Sequence, residues 1–279
     1  MRLQPFTLEV SPERIIRGDI RIPEEPAGKP AVIFCHGVKG CKDWGGWPYA
    51  LEKICCAGFY TVAFNFSLNG IGSDLEHITE LDKFAHNTIG KELEDLAAVC
   101  SALKNGVLCS EIDIIQKTGL IGHSRGGATA ILYCDQSDDI ECLITWASLA
   151  RFDCYLARRN EWRTNGFIPV ENVQTNQILR LDIDFLNDLE RQYRSRDILK
   201  AESRHGVPHL IIHGYQDKTV SYSDAQDLFE ASSKSITGLD ILPRADHTFG
   251  ITHPFAGSTP VFDSIINKTI EWLKMYLYL

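Results

Sequence analysis

The segments "FTLEV" (6–10) and "RIIRGDIRI" (14–22) alternate apolar and polar positions with a period of two, which predicts an antiparallel hairpin. "AVIFCHG" and "YTVAFNF" are then apolar almost without interruption, as strands covered on both faces must be. Between them, "WPYALEKICCAG" has helical spacing and ends at Gly58, a suitable helix stop. A polar loop is expected from Ser67 to about Asp82. A long amphipathic helix follows over 87–106, with Leu93, Leu96, Ala97 and Cys100 on one face and Gly106 closing it. Strand "TGLIG", helix "GGATAILYCD" and strand "ECLITWAS" come next. After a long gap the pattern resumes with strand "PHLIIHG", helix "SYSDAQDLFEAS", strand "GLDILP" and a terminal helix over 260–277.

Strands that alternate with helices predict an α/β fold: a mostly parallel twisted sheet with helices on both faces. The rhythm fails between about Arg151 and His205. That stretch is too long for an ordinary connection, and it reads as a small lid inserted at 151–205 into a core formed by 1–150 and 206–279. Within it, "GFIPVENVQTNQILRLDI" suits a hairpin and "DFLNDLERQYRSRDIL" (184–199) a helix.

At 279 residues and 44% hydrophobic content, the chain buries a large core without staples. The net charge of -9 comes without basic clusters, which argues against nucleic acid or an anionic membrane as partner. The nine cysteines form no C-x-x-C pair, and several sit in apolar runs, so they read as reduced, buried thiols. No secretory h-region opens the sequence, and no apolar run approaches the ~18 residues of a membrane span. These features together read as a cytoplasmic chain. No pattern sets an oligomeric state. The apolar "WLKMYLYL" suits packing on the body or a dimer contact.

One short segment changes the picture. "TGLIGHSRGGAT" joins a buried strand to a helix through Gly122-His123-Ser124-Arg125-Gly126. A G-x-S-x-G turn in that setting is the context of a nucleophile elbow. Side chains at Gly122 or Gly126 would collide with neighbouring backbone, and the following helix aims its N–H groups at the site. A serine nucleophile needs a base and an orienting carboxylate. In a doubly wound sheet these lie beyond the C-terminal ends of later strands. "PHLIIHG" runs into a loop with Asp217, and "GLDILP" into a loop with His247. The oxyanion donors would be the N–H of Arg125 and that of Val38, in "HGVKG" after an early strand. Trp162 and Phe167, with Phe152 and Tyr155, are candidates for an apolar acyl or aryl pocket; packing of the insertion on the body is the competing reading. His253 is a further candidate for the pocket wall. Trp44 and Trp47 read as core or loop packing, and His36, His123 and His213 as structural. The Arg125 side chain would meet either an acidic substrate or a nearby carboxylate.

The motifs "HGVKG", "GHSRGG", "GYQDKTV" and "ADHTF" resemble those of the α/β-hydrolase superfamily over nearly the whole chain. The arrangement is most similar to small esterases of the cinnamoyl and feruloyl type, and more loosely to dienelactone hydrolases and prolyl-oligopeptidase-like domains. The resemblance implies Ser124 as nucleophile, His247 as base then acid, and Asp217 as its orienting partner. It also implies Val38 and Arg125 as oxyanion donors, a small-molecule ester as substrate, and no metal or organic cofactor. The oxyanion loop lacks the triple glycine of some lipases, which argues against bulky tertiary-alcohol esters. Acyl-CoA or other thioesters, a peptide bond, and a catalytically silent binding module are the alternatives.

Overall fold

A computed structural model describes residues 1–278 except 73, 75, 76, 110–114, 173, 174 and 192–195. Parts of the expected loop (67–82), hairpin and 184–199 helix therefore lie outside the described residues. In chain order the elements are β1 (Arg2–Ser11), β2 (Arg14–Ile22), β3 (Ala31–Cys35), α1 (Trp47–Cys56), β4 (Tyr60–Asn65), α2 (Leu81–Ala85) and α3 (Ile89–Lys104). Then come β5 (Thr118–His123), α4 (Arg125–Cys134), β6 (Cys142–Trp146), α5 (Asp153–Leu156), α6 (Arg159–Asn165), β7 (Phe167–Asn172) and β8 (Gln177–Asp182). The chain continues through α7 (Ile183–Arg191), α8 (Ile198–Arg204), β9 (His209–Gly214), α9 (Tyr222–Ala231), β10 (Thr237–Leu242) and α10 (Pro260–Leu277).

Eight strands form one sheet in the order β1-β2-β4-β3-β5-β6-β9-β10. β1 and β2 pair antiparallel, β2 joins β4 antiparallel, and every later pairing is parallel. The uninterrupted apolar runs follow from burial on both faces. In β3, Ala31, Ile33 and Cys35 enter one apolar cluster and Val32 and Phe34 the other. Residues of α3, α4 and α9 belong to the first cluster, and those of α1 and α10 to the second. All of these parallel strands end at one edge of the sheet, and the loops that follow them carry the site.

The segment between β6 and β9 is folded around an antiparallel β7–β8 hairpin. It shares the core of the body: Trp162, Ile168, Leu181, Phe185 and Leu186 join the cluster that contains Ile89 and Leu93 of α3. Trp162 is fully buried, stacks on Phe185 at 6.0 Å, and donates its indole N–H to the Leu181 carbonyl. The expected single helix over 184–199 is corrected. Asp197 has an extended backbone and accepts the Lys200 N–H, so it caps a new helix, α8, and cannot lie inside an older one. No helix among the described residues is long and apolar enough to cross a membrane.

Because Trp162 is fully buried in the cluster that the segment between β6 and β9 shares with α3, Trp162→Ala is expected to cost about 3–5 kcal/mol of unfolding free energy. Urea denaturation measures this; an unchanged midpoint would show that the insertion does not share the body's core.

Candidate active site

The strand β5 delivers Ser124 to the edge of the sheet, and the backbone there takes φ 55 and ψ −123. That conformation is costly for a residue with a Cβ. It is held from outside: the Ser124 N–H donates to the Trp146 carbonyl of neighbouring β6 at 2.9 Å. The flanking glycines make room. A Cβ on Gly126 would lie 2.4 Å from the Cys35 carbonyl oxygen, and one on Gly122 2.5 Å from the Gly126 carbonyl oxygen. β5, α4 and the loop after β3 therefore close on one another only because these positions lack side chains.

Asp217 follows β9 and His247 follows β10. Their loops are stitched together by Tyr215 N–H to the Leu242 carbonyl and Gln216 N–H to the Ala245 carbonyl, both 2.9 Å. This brings His247 Nδ1 to 2.7 Å from Asp217 Oδ2 and His247 Nε2 to 3.0 Å from Ser124 Oγ. Asp217 is buried, and its other oxygen accepts the N–H groups of Thr219 and Val220 at 2.8 and 2.9 Å. His213 Nε2 lies 3.2 Å from Asp217 Oδ2 and 3.1 Å from the Val220 carbonyl. Burial would raise the Asp217 pKa, but the hydrogen bonds from His213, His247 and Val220 outweigh it and hold the carboxyl well below the usual range.

Val38 lies in a tight turn closed by Gly40 N–H to the Gly37 carbonyl. Among the described residues, the N–H groups of Val38 and Arg125 have no acceptor. A Cβ on Gly37 would stand 3.0 Å from Ser124 Cβ, so this loop abuts Ser124. His36 braces it from behind: Nδ1 donates to the Gly37 carbonyl at 2.8 Å, and Nε2 accepts the Phe66 N–H at 3.3 Å. His123 Nε2 donates to the His247 carbonyl at 3.0 Å and so steadies the loop that carries the base.

The side chain of Arg125 turns to the interior. It pairs with buried Glu92 of α3, whose carboxylate also accepts from Asn87 and Thr129. The guanidinium lies 5.6 Å over the Phe185 ring. Of the two fates open to this side chain, the structure shows the ion pair.

A cavity of about 1070 Å³ opens over Ser124 and His247. Val38, Trp44, Trp47, Asn172, Tyr215 and Lys218 are among its walls. The expectation for Trp162 and Phe167 is corrected: neither lines the cavity. Trp162 packs inside the insertion, and the Phe167 ring lies under the Arg180 guanidinium at 4.7 Å. His253 borders a smaller adjoining pocket instead, stacked on Trp44 with Nδ1 accepting the Gly45 N–H at 2.9 Å. Trp44 and Trp47 pack in the core, as the sequence suggests, and the structure adds that they also line the cavity. Their place just after the β3 loop is the available signal for the second role.

Glu202, His205 and His209 form a second buried cluster near the opposite edge of the sheet. Glu202 bonds both histidines at 3.0 Å, and His209 also meets Thr145 at 2.8 Å. Burial opposes ionisation there, yet His209 and His205 carry Glu202 down to about 2. These groups satisfy one another and read as a structural network.

Comparison with known proteins places the fold. No family model matches the chain, and no curated protein matches its sequence. Solved structures do. Est1E from Butyrivibrio proteoclasticus, with ferulic acid bound, superposes with a TM-score of 0.74 at 18% identity, over 98% of this chain and 100% of that one. An esterase domain from a Rhodothermus marinus protein gives 0.69 at 17%, over 99% and 100%. A dienelactone hydrolase from Anabaena variabilis gives 0.66 at 19%, over 99% and 100%. The chain has the α/β-hydrolase fold.

Burial lowers the pKa of His36 to about 4 and of His123 to about 3. An unfolded histidine titrates near about 6.5, so the unfolded chain takes up these protons first. The stability tied to the neutral rings is complete above about pH 6.5. It is lost as pH falls toward 4 for His36 and toward 3 for His123, by up to ~1.4 kcal/mol per pH unit for each ring. Urea denaturation at pH 7, 6 and 5 is expected to show this decline; a flat profile would contradict it.

Proposed function

We propose that this α/β-hydrolase-fold chain is a serine hydrolase that cleaves carboxylic esters through an acyl-enzyme. The observation that carries the reading is the unbroken chain from Ser124 Oγ to His247 to Asp217, with contacts of 3.0 and 2.7 Å. In this reading Ser124 attacks the ester carbonyl carbon while His247 Nε2 takes its proton. Asp217 orients the ring and stabilises the imidazolium. As the carbonyl oxygen gains charge, the Val38 and Arg125 N–H groups receive it in a site where little reorganisation is needed. His247 then returns the proton to the departing alcohol oxygen as the carbon–oxygen bond breaks. Water repeats the sequence, giving His247 its proton as it attacks the acyl carbon, and the acid leaves as Ser124 is reprotonated.

The ester-cleaving character of structures that share the fold supports this choice of bond. The two tryptophans and the large open cavity suit an organic ester of moderate size. His36 and His123 brace the donor loop and the base and take no proton from substrate.

Short-chain nitrophenyl esters give a direct assay. Ser124→Ala is expected to lower kcat by several orders of magnitude, about 10⁶ as in a comparable serine enzyme. Asp217→Asn is expected to lower it by about 10⁴ while the fold is kept. Undiminished hydrolysis by purified Ser124→Ala would remove Ser124 from the reaction.

A further inference from the structure

The main cavity and the smaller pocket beside it share three wall residues: Lys39, Trp44 and Asn172. The smaller pocket holds about 110 Å³, room for one compact polar group. Its far side is pinned, because the Gln177 side-chain amide bonds both the N–H and the carbonyl of Ile78, at 3.2 and 2.9 Å.

Lys39 directly follows Val38, the proposed oxyanion donor, and stands at φ 62. A non-glycine residue in that region carries backbone strain; the ammonium itself is positioned by its bond to the Glu171 carbonyl. Among the described residues its hydrogen-bond partner is the Glu171 carbonyl at 2.8 Å, and it has no ion pair. An ammonium has three donors, which leaves two for another group. Burial pulls the Lys39 pKa below its usual value, with Glu171 partly offsetting this. A partly desolvated cation gains most from an anion brought to it.

His253 borders the same pocket. Its Nδ1 accepts the Gly45 N–H, so the neutral ring carries its proton on Nε2. Among the described residues that Nε2 has no hydrogen-bond partner, which is uncommon for a buried donor. Two other groups near the pocket are accounted for. His77 pairs with Asp74 at 2.9 Å, and the Cys41 thiol is pushed up by burial to about 11. The acidic Asp74 is therefore engaged with a neighbour, and Cys41 stays neutral.

We infer that the small pocket is a subsite for a carboxylate carried by the substrate at a distance from the scissile ester, held by the Lys39 ammonium and the His253 Nε2–H. The substrate class is thus an ester that bears a second, ionised acid group. This inference rests on the ester-hydrolase reading above and narrows it. Trp44 forms the wall between the two spaces, and the connecting carbon chain passes along it.

Two matched pairs of esters test the subsite. Methyl hydrogen adipate against methyl hexanoate places the charge on the acid half. 5-Acetoxypentanoate against pentyl acetate places it on the alcohol half. For at least one pair the charged member is expected to have a kcat/KM about tenfold or more above its neutral counterpart, the scale of a charge-assisted contact. The ratio is expected to collapse toward one in Lys39→Met. It should fall in His253→Phe, which keeps a ring against Trp44 and removes the donor. Equal rates within both pairs, or a preference that survives both substitutions, would overturn the subsite while leaving ester hydrolysis standing. Equilibrium titration of the same compounds into Ser124→Ala, followed by NMR, reads the subsite without turnover. If the wild type cleaves none of the four, tighter binding of a charged member that is lost on Lys39→Met still supports the subsite, and equal binding overturns it.

Discussion

Everything in the site depends on a steric constraint at one corner. Ser124 stands at φ 55 and ψ −123 because β5 and α4 meet there at close range, and they do so only across Gly122 and Gly126. The Gly126 α-carbon sits against the carbonyls of Cys35 and His36, at the end of β3. One close approach therefore sets several things together. It brings Ser124 to the cavity and presses the loop after β3 against it. A methyl group at either glycine would have to move backbone, which a packed sheet resists. The strain at Ser124 is small beside the cohesion of the surrounding β-sheet, whose strands on either side are fully buried.

Electrostatics then act on a prearranged frame. Asp217 remains ionised in a buried position because several donors converge on it, and a carboxylate held that way fixes the ring of His247. The neighbouring histidines stay uncharged by burial. They brace the loops on either side of the Ser124–His247 contact. The Arg125–Glu92 pair extends the same logic inward. A buried pair of this kind costs several kcal/mol, about 3–5, to break from one side. It ties the first residue of the catalytic helix to α3, and through Phe185 to the inserted segment. The inserted segment and the start of α4 thus share one buried contact.

The body of the fold was legible because its strands are short, apolar and bounded by turns, and because parallel strands bring their following loops to a single edge. That topology is why the sequence places the loops of Asp217 and His247, thirty residues apart, at the edge that carries Ser124. The inserted segment offered no such rule. Its aromatics carry no periodicity that says which face they serve, so the sequence does not separate pocket wall from packing at Trp162 and Phe167. Trp162 fills a core and Phe167 supports Arg180. The break before α8 was visible in "RDILK", where an aspartate before an apolar run is a helix start. Lys39 went unremarked because an exposed-looking lysine in a loop is ordinary. Only the structure shows that it stands between two pockets with a strained backbone.

The central claim is that Ser124 is an activated nucleophile. Intact-mass spectrometry after exposure to a small uncharged phosphonofluoridate tests it most directly, on folded wild type and on Ser124→Ala. The account predicts a single covalent adduct on the wild type, located at Ser124, and none on the variant. No adduct on the wild type, or equal labelling of both proteins, would contradict it.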